Sequence, residues 1–193
     1  MLGVLLLGGW AATVPAAAQE ISVPVEVQVP LLLKILSFDR RLAADGQDSL
    51  VIGVVFQSHY RASATIADDV CRALAAAGHN PGAGRMLRVV PIELDEPGTL
   101  AATLLRDGVR VLYVTPLRAV AVSAVAAATR ERQVISLTGV VQYVEEGLTV
   151  AVDAKGERPQ IVINLAASRA EGAVFAGQLL KLARLTGPDG SGP

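Results

Sequence analysis

Residues 160–185 read QIVINLAASRAEGAVFAGQLLKLARL. An apolar run, Ile161, Val162 and Ile163, stops at Asn164 and passes directly into small residues and then into leucines. A run of this kind reads as a strand buried on both faces. At its end the Asn164 side-chain oxygen is suited to accept from the amides of the next turn. Ala166, Ala167, Ser168 and Ala170 would make that turn, and Gly172 would end it. Beyond it Phe175, Leu179, Leu180 and Leu182 form a broad apolar face, which predicts a last helix over 173–185. Gly177 falls inside that helix, where glycine costs roughly 1 kcal/mol against alanine, so a close approach to the sheet is expected there. Nothing in the stretch is a nucleophile, a metal ligand or a phosphate loop. It reads as architecture.

Working outward, LTVAVDAKGERPQIVINL (148–165) predicts a hairpin with its turn at 154–159. Upstream, strands and helices alternate. SLVIGVVF (49–56) is a continuous apolar run, and SATIADDVCRALAAAG (63–78) is a helix with Ser63 as N-cap and Gly78 as its stop. HNPGAGR (79–85) is a loop, and MLRVVPIEL (86–94) is a strand that Pro91 assigns to a sheet edge. GTLAATLLRDG (98–108) is a short helix, VRVLYVT (109–115) a strand, LRAVAVSAVAAATRER (117–132) a helix and QVISLT (133–138) a strand. GVVQYVEEG (139–147) fits neither period. Near the start, Val23, Val25, Val27 and Val29 alternate with Pro24, Glu26 and Gln28, the pattern of extended chain. Pro30 suits a first helical position; Leu31, Leu32, Ile35, Leu36 and Phe38 then give an inner face, with Lys34, Arg40 and Arg41 outward. Strands separated by helices imply an α/β fold: a three-layer α/β/α sandwich on a mostly parallel sheet, with an antiparallel C-terminal hairpin.

The chain is 52% apolar and 18% charged with a net charge of -1, which argues for a filled core and against nucleic acid as a partner. Residues 1–20, MLGVLLLGGWAATVPAAAQE, give an apolar run and then the small-residue site Ala16, Ala17, Ala18, without a basic start. This predicts a signal peptide over 1–18 cleaved near Ala18, one domain over 19–187 and a disordered tail over 188–193, with the mature protein in the periplasm. An uncleaved anchor fits less well, since Gly8, Gly9 and Pro15 break a run already short for a span. The single Cys71 leaves no internal disulfide and reads as a small hydrophobe on a helix. The stretch 117–129 is apolar on nearly all sides, which suits either a homodimer interface or full burial.

In open parallel sheets ligands sit beyond the carboxyl ends of the strands. Gln57, Ser58, His59, Arg61, Ser63, Thr115, Thr138 and Gly139 follow strands and could line such a rim, with a helix start favouring an anion. GxGxxG and GxxxxGK[ST] are both absent. His59 and His79 fall at opposite ends of one helix, so they share no metal, and acid, base and nucleophile do not converge. No catalytic residue, metal or cofactor is expected.

With its strand end at Ile163 and Asn164, its small-residue turn and its LL.LA leucines, the 161–185 stretch resembles the C-terminal signature of the YfiR family of periplasmic proteins. The matching residues are Ile163, Asn164, Leu165, Ala166, Ala167, Arg169, Gly172, Leu179, Leu180, Leu182 and Ala183, and the upstream VLYVTPL, VISLTG and EEGLTVAV follow the family's order. Two features depart from the family. SFDRRLAADG stands where members often carry an aromatic–Pro pair, and Cys71 has no partner cysteine. The resemblance implies a non-catalytic regulator that binds the periplasmic part of a membrane signalling protein, a diguanylate cyclase. Lys34, Arg40 and Arg41, and Tyr143 in VVQYVEE, are then the candidate partner contacts. The alternative is a periplasmic small-molecule binder using the strand-end rim.

Overall fold

SLVIGVVF forms the strand its composition predicts, β1 (Ser49–Phe56), buried at all but its two end residues. In the computed structural model, which describes residues 21–79, 84–118, 120–156 and 158–187, β1 lies within a seven-stranded sheet. The other strands are β2 (Met86–Glu93), β3 (Val111–Val114), β4 (Ile135–Thr138), β5 (Val150–Lys155), β6 (Arg158–Asn164) and β7 (Arg184–Thr186). Their order is β2-β1-β3-β4-β5-β6-β7, and every pairing is parallel except β5 with β6. Pro91 does mark an edge: β2 closes one side of the sheet. The proposed signal peptide (1–18), the tail (188–193) and residues 80–83 of the 79–85 loop lie outside the described residues.

Alternation along the strands sorts the core into two layers. Leu50, Ile52, Val54, Val111 and Tyr113 pack on one face with α1 (Val25–Leu36) and α3 (Arg61–Ala77). Val51, Val55, Leu112 and Val114 pack on the other with α4 (Leu100–Arg106) and α5 (Val122–Arg132). Burying each such aliphatic side chain contributes about 1.5–3 kcal/mol. The fold is a three-layer α/β sandwich with an antiparallel hairpin, as the strand–helix alternation predicts.

Several local expectations are corrected. The 23–29 segment is not extended: α1 starts at Val25 and runs through Pro30. Val25, Gln28, Val29, Leu32, Leu33 and Leu36 are buried at helical spacing, which outweighs the period of two. Pro30 is tolerated because it sits on the solvent side, where water can serve the carbonyl it leaves unpaired. Ser63 is not the N-cap of α3; that position is Tyr60, and Ser63 lies one turn inside. Gly78 does end α3, with φ +67°. The hairpin turn is tighter than 154–159, since Ala154 still pairs with Pro159 and Lys155 with Arg158.

The largest correction concerns 173–185, which is not one helix. A single turn, α8 (Gly177–Leu180), is followed by β7, which pairs parallel to β6 through Val162–Arg184, Ile163–Leu185 and Asn164–Thr186. A longer helix would have left the outer edge of β6 unpaired, and three residues of strand cover it. Leu182, assigned to an inner face, is 74% exposed. Gly177 has no neighbour within 4 Å of where a side chain would start, so it permits no close approach.

The C-terminal segment is tied instead to the end of α1. Buried Asp39 caps α2 (Arg40–Ala44) by accepting from the Leu42 amide at 2.7 Å, and its other oxygen accepts from the Val174 amide at 2.6 Å. Backbone bonds from Arg40 N to Val174 O (2.9 Å) and from Ala176 N to Phe38 O (3.0 Å) complete the strap.

Candidate functional site

At the carboxyl ends of β1, β3 and β4 three of the predicted rim residues, Gln57, Ser63 and Thr115, bond one another. Ser63 Oγ and Thr115 Oγ1 are 2.6 Å apart, and Ser63 Oγ accepts from the Gln57 amide at 2.9 Å. Gln57 Oε1 accepts from the Arg118 amide at 2.6 Å. Thr138 Oγ1 donates to Val114 O (2.9 Å) and accepts from Val140 N (3.1 Å). Ser63, Thr115 and Thr138 are fully buried, whereas Ser58, His59 and Arg61 point to solvent. The buried part of the rim is thus a finished polar seam.

Over that seam α1 lays Gln28, which sequence reasoning missed. Its side chain is fully buried, donating to Val23 O and accepting from the Tyr113 hydroxyl at 3.0 Å. Burial pushes the Tyr113 hydroxyl far above the usual tyrosine range, against a lowering by its hydrogen bond with the Gly139 backbone. A Cβ at Gly139 would come within 2.7 Å of the Gln28 amide and 3.0 Å of the Tyr113 hydroxyl. Glycine is required there by contact, not by φ. The helical row Val25, Gln28, Leu32 was the available signal, hidden by the alternating valines.

The candidate partner residues divide. Lys34 and Arg40 are exposed, on α1 and α2 respectively. Arg41 turns inward, contrary to expectation: its Nη1 donates to Gln133 O at 2.8 Å, and burial lowers its pKa from the ordinary value, with a further lowering from Arg110. Arg40 and Arg41 also belong to a separate helix, because α1 ends at Leu36 and Asp39 caps a new one. Tyr143 is fully buried in α6 (Gln142–Glu145), where its hydroxyl accepts from Leu117 N at 2.7 Å and burial pushes its pKa up to about 12. A side chain so enclosed anchors the core and presents nothing to a partner.

Asn164 caps α7 (Leu165–Ala170), accepting from Ala167 N at 2.9 Å and donating to Val144 O at 2.8 Å. Gly172, at φ +73°, follows the turn that ends α7. Between them and the sheet sits Glu171, fully buried and also missed. Its oxygens accept from Thr129 Oγ1 (2.6 Å), Ser136 N (2.7 Å) and Ser136 Oγ (2.7 Å), and from Thr149 Oγ1. Burial raises its pKa, and the four hydrogen bonds pull in the opposite direction. A lone acid in SRAEGA gave no signal of this cage. Among the described residues no group of three or more His, Cys, Asp or Glu side chains could hold a metal, and no helix is long and apolar enough to cross a membrane.

Among curated proteins none matches the chain. Solved structures with the same fold include a conserved domain protein from Vibrio cholerae (15% identity, TM-score 0.60) and a domain in complex with L-Trp from Streptococcus pneumonia (15%, 0.58). A third is the ligand-free, open form of a substrate-binding protein with adhesive properties from Clostridium difficile (14%, 0.56). These matches cover 85%, 84% and 85% of this chain, and the chain spans 60% of each of those structures. Residues 26–184 match the family model described as YfiR/HmsC-like, from within α1 to the start of β7. The chain belongs to the YfiR/HmsC-like family.

Proposed function

We propose that the protein is an exported, non-catalytic regulator that binds the periplasmic part of a membrane signalling protein of the diguanylate-cyclase type. Family membership over residues 26–184 carries this reading. The filled strand-end crevice supports it, because the place where such sheets usually hold a substrate is occupied by Gln28, Tyr113 and the Ser63–Thr115 pair. Regulation by contact needs only a surface whose affinity differs between two states of the partner. Lys34 and Arg40 are the exposed cations that remain of the expected surface.

The test places a photo-crosslinking side chain at Arg40 in the exporting host, followed by affinity capture and mass spectrometry. The expected product is a membrane protein with a periplasmic sensor part, and deleting the regulator should change cellular cyclic-di-GMP. Capture of only the protein itself, with unchanged cyclic-di-GMP, would sink the reading. The competing reading is a small-molecule binder. It is favoured by the fold shared with a substrate-binding protein and with a domain in complex with L-Trp.

A further inference from the structure

At the opposite end of the sheet from the rim, an open groove of about 660 Å³ lies between the end of α1 and the starts of β1 and β2. Lys34, Leu36, Phe38, Asp48 and Arg85 are among its walls. Gly46 and Gly84 also line it, with open space where a side chain would stand. We propose that this groove binds a small molecule through a phosphate group, with Arg85 as the principal ligand and Lys34 as the second.

Arg85 is only 9% exposed, yet among the described residues neither Nη1 nor Nη2 has a hydrogen-bond partner. Its nearest counter-charge, Asp45 Oδ2, stands 4.0 Å away and is already held by Arg110 Nη2 at 3.1 Å. Behind them Arg41 feels the charges of both Arg110 and Asp45, and its Nε and Nη2 are likewise buried without partners. Lys34 and Arg85 stand against Asp48 on the groove's walls, and Arg41 and Arg110 behind it stand against Asp39, Asp45 and Glu171. A guanidinium kept for stability alone would have its donors filled, because buried donors left without hydrogen bonds are costly and one counter-charge at 4.0 Å does not fill them.

Two donors without hydrogen-bond partners in a planar fork match the edge of a tetrahedral oxyanion, and the exposed Lys34 ammonium suits a third oxygen. That third oxygen favours a phosphate over a carboxylate, which has only two. The groove has the volume of a small-molecule site, and Leu36 and Phe38 offer an apolar wall, with Lys34 Nζ 5.5 Å from the Phe38 ring centroid. Arg85 Nη1 and Nη2 are covered in this structure, so binding of the phosphate requires the side chain to turn into the groove it lines.

The experiment titrates phenyl phosphate into the purified exported chain in phosphate-free buffer, by calorimetry and thermal melting, with phenol and benzoate as comparators. Phenyl phosphate should bind saturably and raise Tm, benzoate should bind more weakly and phenol not at all. Arg85→Met should weaken binding about tenfold or more, and Lys34→Ala about threefold. If Arg85→Met does not fold, Lys34→Ala and Arg85→Lys carry the comparison. Equal binding of phenol, benzoate bound as tightly as phenyl phosphate, or affinity unchanged in the folded variants overturns the proposal. Co-sedimentation with phosphatidylcholine vesicles, with and without phosphatidic acid, separates the sources: retention on the acidic lipid without binding of phenyl phosphate also overturns it. The measurement uses no partner protein, so its failure leaves the regulatory reading standing.

Discussion

The Tyr113 hydroxyl on β3 donates to Oε1 of Gln28 on α1 at 3.0 Å, joining residues 85 positions apart. The pair presses on Gly139, which has no room for a methyl group. Gly139→Ala should therefore destabilise the fold by about 1–3 kcal/mol in urea unfolding. In a Gln28→Ala background the same change should cost far less, a coupling of about 1 kcal/mol or more. Additive effects would contradict the contact.

Glu171 makes stability depend on pH in an unusual direction. Its folded pKa lies above the unfolded value, so between the two the folded state holds the extra proton. Its contribution is full below the unfolded pKa and is lost as pH rises through the folded one. Glu171→Gln should remove that decline while filling most of the cage. Glu171→Ala, which strands the groups of Thr129, Ser136 and Thr149, should cost about 3 kcal/mol or more at every pH. Chemical unfolding of the three proteins from pH 4 upward checks both statements.

Asn164 has two separable jobs, and two substitutions divide them. Asn164→Asp keeps the oxygen that caps Ala167 but loses the amide donor to Val144 O; Asn164→Ala loses both. Thermal unfolding should rank wild type above Asp and Asp above Ala, with the alanine variant about 2 kcal/mol or more below wild type. An aspartate variant no better than alanine would remove the cap from the account.

On the regulatory reading, Arg40→Glu should cut capture of the membrane partner while changing stability by only about 0.5 kcal/mol, since the side chain is exposed. Tyr143→Phe should do the reverse: it loses the bond from Leu117 N, lowers stability by about 1 kcal/mol and leaves capture unchanged. Cross-linked yield beside a melting curve distinguishes the two.

The parts legible in the sequence were those where one physical signal dominates. β1 is apolar throughout, Pro91 removes a donor and so marks the edge strand, and Asn164 combines a strand end with a capping oxygen. The parts that were not legible depend on partners distant in the chain. Alternating valines at 25–29 form helix because the sheet buries one side of it, and the leucines at 173–185 give way to β7 because β6 has an open edge. Of the expected rim, Ser63 and Thr115 bond each other and Thr138 bonds the neighbouring backbone, but neither these bonds nor the buried Gln28 could be read from the chain, because they join residues distant in sequence. Arg85 followed a glycine-rich loop and offered no pattern at all.

The Asp39–Val174 bond spans 135 residues, and this sets the order in which the molecule can assemble. α1 is complete by Leu36, but the groups that strap its end, at 174–176, lie about 135 positions further along the chain. The end of α1 is therefore fastened only once that distant segment is in place. Closing so long a loop carries an entropic cost that only the contacts made on closure can offset.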